Sequence, residues 1–257
     1  MAEVVPNFDS LDYGEQDSLS IDNLSTSHTV GAGTGIMVVI FAGVDDADVT
    51  VANWDGAPMT LLDATYHNLI GARRLNVYYV IAPTGTHNVD FTMEANSRFG
   101  VTIIDFSGVN QASPITLEFT ATVATAGHVE TGTTDPDKIT ASFIVDAMVV
   151  GGGSTGYTFT APPFEDGGDN DQIPLDGRVD GQRNGDPASS AVGVSYKAGI
   201  EGSQIETHMG CEHNIYSASR NWGYVVFSLN PGDGEEENEF VAVTDEHIQV
   251  PGRVRSM

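Results

Sequence analysis

The residues best placed to do chemistry are His208, Cys211 and His213, which fall within one six-residue run, His-Met-Gly-Cys-Glu-His. On an extended strand His208 and His213 project to opposite sides, so one ion would reach both only across a turn. A tetrahedral zinc site also needs a further Cys or His pair at ligand spacing, and no such motif completes this one. The plainer reading is two ordinary imidazoles near a thiol. A second candidate is the stretch 164–189, which is rich in Asp, Gly, Asn and Pro. Hard cations are held by several converging oxygens, so Asp166, Asp169 and Asp171 are the candidate ligands for Ca2+ or Na+, with Glu165, Asp176 and Asp180 close by in sequence. The spacing is not that of an EF-hand, and plain solvation of an acidic loop is the stronger reading. Asp135 and Asp137 form a similar, weaker pair. For nucleophilic catalysis, Gly153-Ser154-Thr155-Gly156 misses the G-x-S-x-G spacing and no helix pattern follows it. Carboxylate pairs suited to glycoside hydrolysis carry little information in a chain this acidic. These residues together predict a protein that is not an enzyme.

The acidity has its own explanation. Asp and Glu number 36 against 10 Lys and Arg, a formal charge of -26 over 257 residues, and the acids are spread along the whole chain. Lys138 and Lys197 are the only lysines. A disordered acidic chain would lack the many aromatic and β-branched runs present here. A calcium protein would concentrate its acids in ligand loops. Adaptation to molar salt fits better: there the Debye length is about 3 Å, self-repulsion is screened, and an acidic surface stays hydrated. Lysine is scarce because its alkyl stem adds apolar surface that salt drives together. The same charge predicts no nucleic-acid partner, since phosphates are repelled and no basic stripe is present. Cys211 stands alone, so no intrachain disulfide forms. Residues 1–20 lack a basic n-region and an apolar h-region, which predicts no secretory signal, and no apolar run reaches spanning length, which predicts no membrane insertion.

The elements that must position these residues read as strands. From Thr29 onward, runs of β-branched and aromatic residues alternate with Gly, Pro, Asn and Asp. The clearest are Ile36–Ala42, Val49–Trp54, Leu75–Ala82, Asn88–Met93, Gly100–Ser107, Ile115–Ala121, Ile139–Gly151, Ala191–Lys197, Gln204–Met209 and Trp222–Leu229. In Asn88–Met93, Val89, Phe91 and Met93 share one face. Leu61–Arg74 is the best helix candidate, weakened by Asn68, Gly71 and Thr65. The pattern predicts an all-β protein, an antiparallel two-sheet jelly-roll β-sandwich over 28–231. Residues 1–27 read as an N-terminal arm. Residues 232–257 read as an acidic hinge and a C-terminal tail with enough β character to add a strand to a neighbour. Phe8 and Leu11 in the arm, and Phe240, Val241, Val243, Ile248 and Val250 in the tail, are the expected assembly contacts.

Four stretches carry a resemblance: Trp54-Asp-Gly-Ala-Pro-Met-Thr-Leu61; Leu75-Asn-Val-Tyr-Tyr-Val-Ile-Ala-Pro83 with Thr84-Gly-Thr86; Asp105-Phe-Ser-Gly-Val-Asn-Gln111 with Ser113-Pro114; and Trp222-Gly-Tyr-Val-Val-Phe-Ser-Leu-Asn-Pro231. With His28-Thr-Val-Gly31 they resemble a jelly-roll sandwich domain of bacterial surface proteins and phage structural proteins, over about residues 28–231. Asn53-Trp-Asp-Gly56 stands where that domain has Tyr-Gly-Gly, and Asp105 where it has Ser or Ala. The resemblance implies a fold and brings no catalytic residues.

With the salt-adapted surface, it implies a virion protein of a haloarchaeal virus, folded in the host cytoplasm and carried outside by assembly. A turret, decoration or tail-surface protein fits best, and a single-jelly-roll major capsid protein comes next. Its expected partners are copies of itself, other virion proteins and host surface glycans. A carbohydrate-binding module of a cell-surface protein is the rival, with Trp54 and Tyr157 as exposed stacking platforms and Tyr66 and Tyr216 as further candidates.

Overall fold

In a computed structural model of the chain, the residues described are 3–16, 22–43, 47–62, 74–97, 99–123, 128–130, 139–151, 159–160, 173–174, 190–199, 203–207, 209–213 and 222–232. All regular structure among them is β, and every pairing is antiparallel. The first half holds β1 (Val5–Gln16), β2 (Asn23–Thr29), β3 (Thr34–Gly43), β4 (Val49–Trp54), β5 (Ala57–Pro58), β6 (Thr60–Leu61), β7 (Arg74–Ile81), β8 (Thr86–Met93) and β9 (Phe99–Ser107). The second holds β10 (Ile115–Val123), β11 (His128–Glu130), β12 (Ile139–Ala141), β13 (Phe143–Gly151), β14 (Phe159–Thr160), β15 (Ile173–Pro174), β16 (Ser190–Ala198), β17 (Ile205–Thr207), β18 (Gly210–His213) and β19 (Trp222–Leu229).

Two five-stranded sheets form the middle of the molecule, in the orders β1-β9-β3-β7-β6 and β10-β19-β13-β16-β15. Side chains alternate across a strand, so an inner strand with sheets on both sides must be apolar at every position. β3 obeys this in full. Ile36, Val38, Ile40 and Ala42 enter the core between the two middle sheets, whereas Met37, Val39 and Phe41 enter a core on the opposite face. β13 divides likewise: Phe143, Val145, Ala147 and Val149 face the middle, and Ile144 and Met148 face outward into a third core. Each of these Val, Ile, Met and Phe side chains contributes about 1.5–3 kcal/mol by leaving water. Phe106 and Phe143 join the middle sheets edge to face, their ring centroids 5.6 Å apart.

Outer layers cover the remaining faces. A four-stranded sheet, β2-β8-β4-β5, lies over the first middle sheet, and the alternation of β8 puts Val89, Phe91 and Met93 inward as expected. Ile139 and Ala141 of β12, with Ile205 of β17, lie over the second. β18 follows directly from the buried Met209 and sits in the order β11-β18-β14. The all-β antiparallel sandwich therefore holds, but outer sheets are stacked on both middle ones where a single two-sheet sandwich over 28–231 is expected.

Several expectations change. The stretch read as a free arm is paired within the chain: β1 runs along β9 from Val5 opposite Ser107 to Gln16 opposite Phe99, and β2 runs along β8. Polar edge strands bury one face at most, so their apolar period is too sparse to stand out. Phe8 and Leu11 fall where the β1 register shifts, between Asn7 and Asp12. The run 139–151 is two strands in different sheets, broken at the buried Ser142, whose carbonyl accepts from the Gly199 amide at 2.9 Å. Asp55 (φ 50°) and Gly56 (φ 73°) form the two-residue turn between β4 and β5, both in the left-handed region that such hairpins need. The helix candidate beyond Leu62 and the tail residues Phe240, Val241, Val243, Ile248 and Val250 lie outside the described residues.

Candidate functional site

The titratable side chains that the fold gathers are buried carboxylates at the boundaries between inner and outer sheets. On β9, alternation puts Ile104 and Phe106 into the middle core and Asp105 toward the outer sheet. There Asp105 meets His28 of β2: Nε2 of His28 lies 3.2 Å from Oδ1 of Asp105, and neither side chain is exposed. The amide of Gly31 donates to Oδ2 at 2.8 Å. Trp54 stands edge-on to His28, centroids 6.0 Å apart, and to His87, 5.3 Å apart. His87 Nδ1 donates to Asp55 Oδ1 at 2.8 Å, so the β4–β5 turn is tied to β8. A His-Asp pair can orient an imidazole for proton transfer, but the imidazole must then reach a substrate. The His28 ring is enclosed on every side. What the pair does is tie β2 to β9, and removing one member of such a pair costs about 3–5 kcal/mol.

The second boundary holds Asp146, in the otherwise apolar run of β13. Its Oδ2 accepts from the Tyr224 hydroxyl at 2.7 Å, and Oδ1 accepts from the Ser195 amide at 3.1 Å and from the Ser195 hydroxyl. These donors sit on β19 and β16, the two neighbours of β13, so one carboxylate ties three strands together. Lys197, buried on the same outward face of β16, donates to Thr207 Oγ1 of β17 at 3.0 Å, which ties the sheet to its outer layer.

An exposed face offers different chemistry. Along β2 and β8 the outward residues are Ser25, Thr29, Thr86 and Asn88, with the half-buried Asp90 among them. Ser25 donates to Asp90 Oδ1 at 2.5 Å, Asn88 Nδ2 donates to Ser25 Oγ at 2.9 Å, and the Thr29 and Thr86 hydroxyls bond at 3.0 Å. In a chain carrying 36 acids, this ladder of hydroxyls and amides holds one carboxylate.

Trp54 is a correction. It is 6% exposed and belongs to the core, because the tight Asp55-Gly56 turn folds its strand end over His28 and His87. It is not a platform for a sugar. Tyr157, Tyr66, Tyr216, Asp166, Asp169, Asp171 and His208 lie outside the described residues. Cys211 and His213 are on β18, opposite Val129 of β11 and Phe159 of β14 respectively. Among the described residues, no three His, Cys, Asp or Glu side chains converge as a metal site requires. The sequence reading missed both buried carboxylates. Their signal was present: Asp105 stands where the domain the sequence resembles has Ser or Ala, and Asp146 interrupts a long apolar strand. Comparison with protein-family models, curated proteins and solved structures gave no match to this chain.

Proposed function

We propose that the chain is a structural subunit of a halophilic archaeal virus particle, a turret, decoration or tail-surface protein that works by assembly and without catalysis. The observation that carries this reading is the order of strands in the first half. Counting β5 and β6 as one strand broken at Met59, the chain visits its two sheets in the orders first-eighth-third-sixth-fifth and second-seventh-fourth-fifth, the fifth strand passing from one sheet to the other. That order supports the jelly-roll reading, whose nested Greek keys are common in capsid and surface proteins. The charge of -26 supports a high-salt setting, and the enclosure of His28, Asp105 and Asp146 supports a role in which these groups hold strands.

The test is to raise antibodies against the folded chain and locate it in fractionated high-salt lysates and purified particles. Co-sedimentation with particles, with labelling on their surface, is the expected result. A protein found only as a compact monomer outside particles would contradict it. The polar ladder of Ser25, Asn88 and Asp90 favours glycan contact as a second role. It predicts that Asn88→Ala weakens binding on a glycan array while leaving particle association intact.

A further inference from the structure

We infer that the chain is a covalent pseudo-dimer, two copies of one folding unit joined face to face, so that the middle face of each unit is a self-recognition surface whose partner is the same face of the other. The first unit runs through β1–β9 and the second through β10–β19. Their inner sheets have matching orders, β1-β9-β3-β7-β6 against β10-β19-β13-β16-β15. Their outer sheets match as well, β2-β8-β4 against β11-β18-β14, with β12-β17 as a detached second piece of the β2-β8 pairing.

The match extends to the register. If Val38 is set equal to Val145, the ladders to β7 and β16 make Tyr79 equal to Tyr196. From those tyrosines, the next ladders make Thr60 of β6 equal to Ile173 of β15. On the other side, Phe106 of β9 becomes equal to Leu229 of β19. That in turn makes Pro6 of β1 equal to Ile115 of β10, and both edge strands shift register just beyond this point, after Asn7 and after Leu117. One alignment satisfies the ladders of both inner sheets as far as those register shifts. It also predicts single hydrogen bonds: the Ala82 amide donates to the Gly35 carbonyl, and the equivalent Gly199 amide donates to the Ser142 carbonyl, both at 2.9 Å.

The two units meet as related copies should. In an isologous contact, when position i of one copy touches position j of the other, j of the first touches i of the second. The alignment continues past the strands, making Gly108 equal to Pro231 and Val109 equal to Gly232. Val109 bridges Pro231, and the Gly232 amide donates to the Gly108 carbonyl at 2.7 Å. The contact is reciprocal. The core between the units takes the same faces from each, β3 and β9 from one and β13 and β19 from the other. Fusion turns pairing of two units into an intramolecular event, which raises their effective concentration without any new contact. The consequence is a two-sided building block, with an outer layer facing away from the shared plane on each side. The inference does not depend on the particle reading.

The test is a circular permutant of the whole chain that begins at Ala112, ends at Gln111 and has residue 257 joined to residue 1. Gly232 lies beside Gly108, and a side chain on Gly108 would strike the Glu3 carbonyl, so the first and last of the described residues meet at this junction. If the order of the units is immaterial, the permutant folds and melts within about 4 °C of the native chain in molar salt. As a second measurement, a protease site placed between Gln111 and Ala112 of the native-order chain is cut after folding. The two pieces should elute together, and the melting temperature should become concentration-dependent, as for a dimer. Pieces that separate in the same buffer overturn the inference. So does a permutant that remains unfolded although the nicked chain melts independently of concentration.

Discussion

The core between the two middle sheets and the cores beneath the outer sheets are built on different rules. The middle core is apolar throughout, from Val38 and Phe106 on one side to Val145 and Phe227 on the other. The buried polar residues of the inner strands point the other way by strand alternation: Arg74, Asn76, Asp105, Asp146, Lys197 and Ser228 all face the outer layers. Apolar burial is strong and non-directional, so it joins two broad sheets firmly without dictating fine register. A buried carboxylate is costly unless its donors are in place, so it specifies which strand sits where. In this molecule the first rule supplies cohesion and the second supplies alignment.

The largest effect should come from opening the middle core. Phe227→Ala removes a ring with no measurable exposure and should cost about 3–5 kcal/mol. Thermal melts in molar salt should show both halves lost in one transition, since the slab is shared between them. Next is the His28–Asp105 pair. Asp105→Ala should cost about 3 kcal/mol or more by leaving His28 buried without this partner, while His28→Leu with Asp105→Leu should cost less than the single changes summed. A double-mutant cycle by denaturant unfolding measures this, and additive costs would break the distinction between cohesion and alignment. Tyr224→Phe removes one donor to the Asp146 carboxylate and should cost about 1.5–3 kcal/mol, with the packing of the ring preserved.

The smallest effect belongs to Tyr196, which stacks on Phe143 at the edge of the middle core with centroids 5.1 Å apart. Burial raises its pKa above the usual 10.0, so the folded state favours the neutral phenol. The sign follows: this contribution is complete below the unfolded tyrosine's pKa of about 10 and is lost as pH rises through the folded value. Stability measured against alkaline pH should fall slightly less in Tyr196→Phe than in the native chain.

The same division governs what the sequence alone revealed. Strands of the middle slab, such as β3, β13 and β19, were legible because burial on both faces gives long apolar runs. β8 was legible because one buried face gives strict alternation. β1 and β2 were not, since both are edge strands of mixed polar sequence and their partners β9 and β8 lie far along the chain. The break at Ser142 was hidden inside a run that is apolar on both sides of it. The site chemistry was least legible: His28 and Asp105 meet across 77 residues, and nothing local to either announces the other. The repeat of the fold escaped notice because the two units conserve burial and not identity. Val38 and Val145 agree, but Ile36 stands opposite Phe143 and Ile40 opposite Ala147 in the alignment.

Native-state hydrogen exchange in molar salt, read by mass spectrometry peptide by peptide, tests the division most directly. The amides of β3, β9, β13 and β19 should exchange last and with one common opening free energy, while β2, β8 and β4 on one side and β12 and β17 on the other open earlier. Outer strands that outlast the middle slab, or two halves that exchange with separate global energies, would contradict the account.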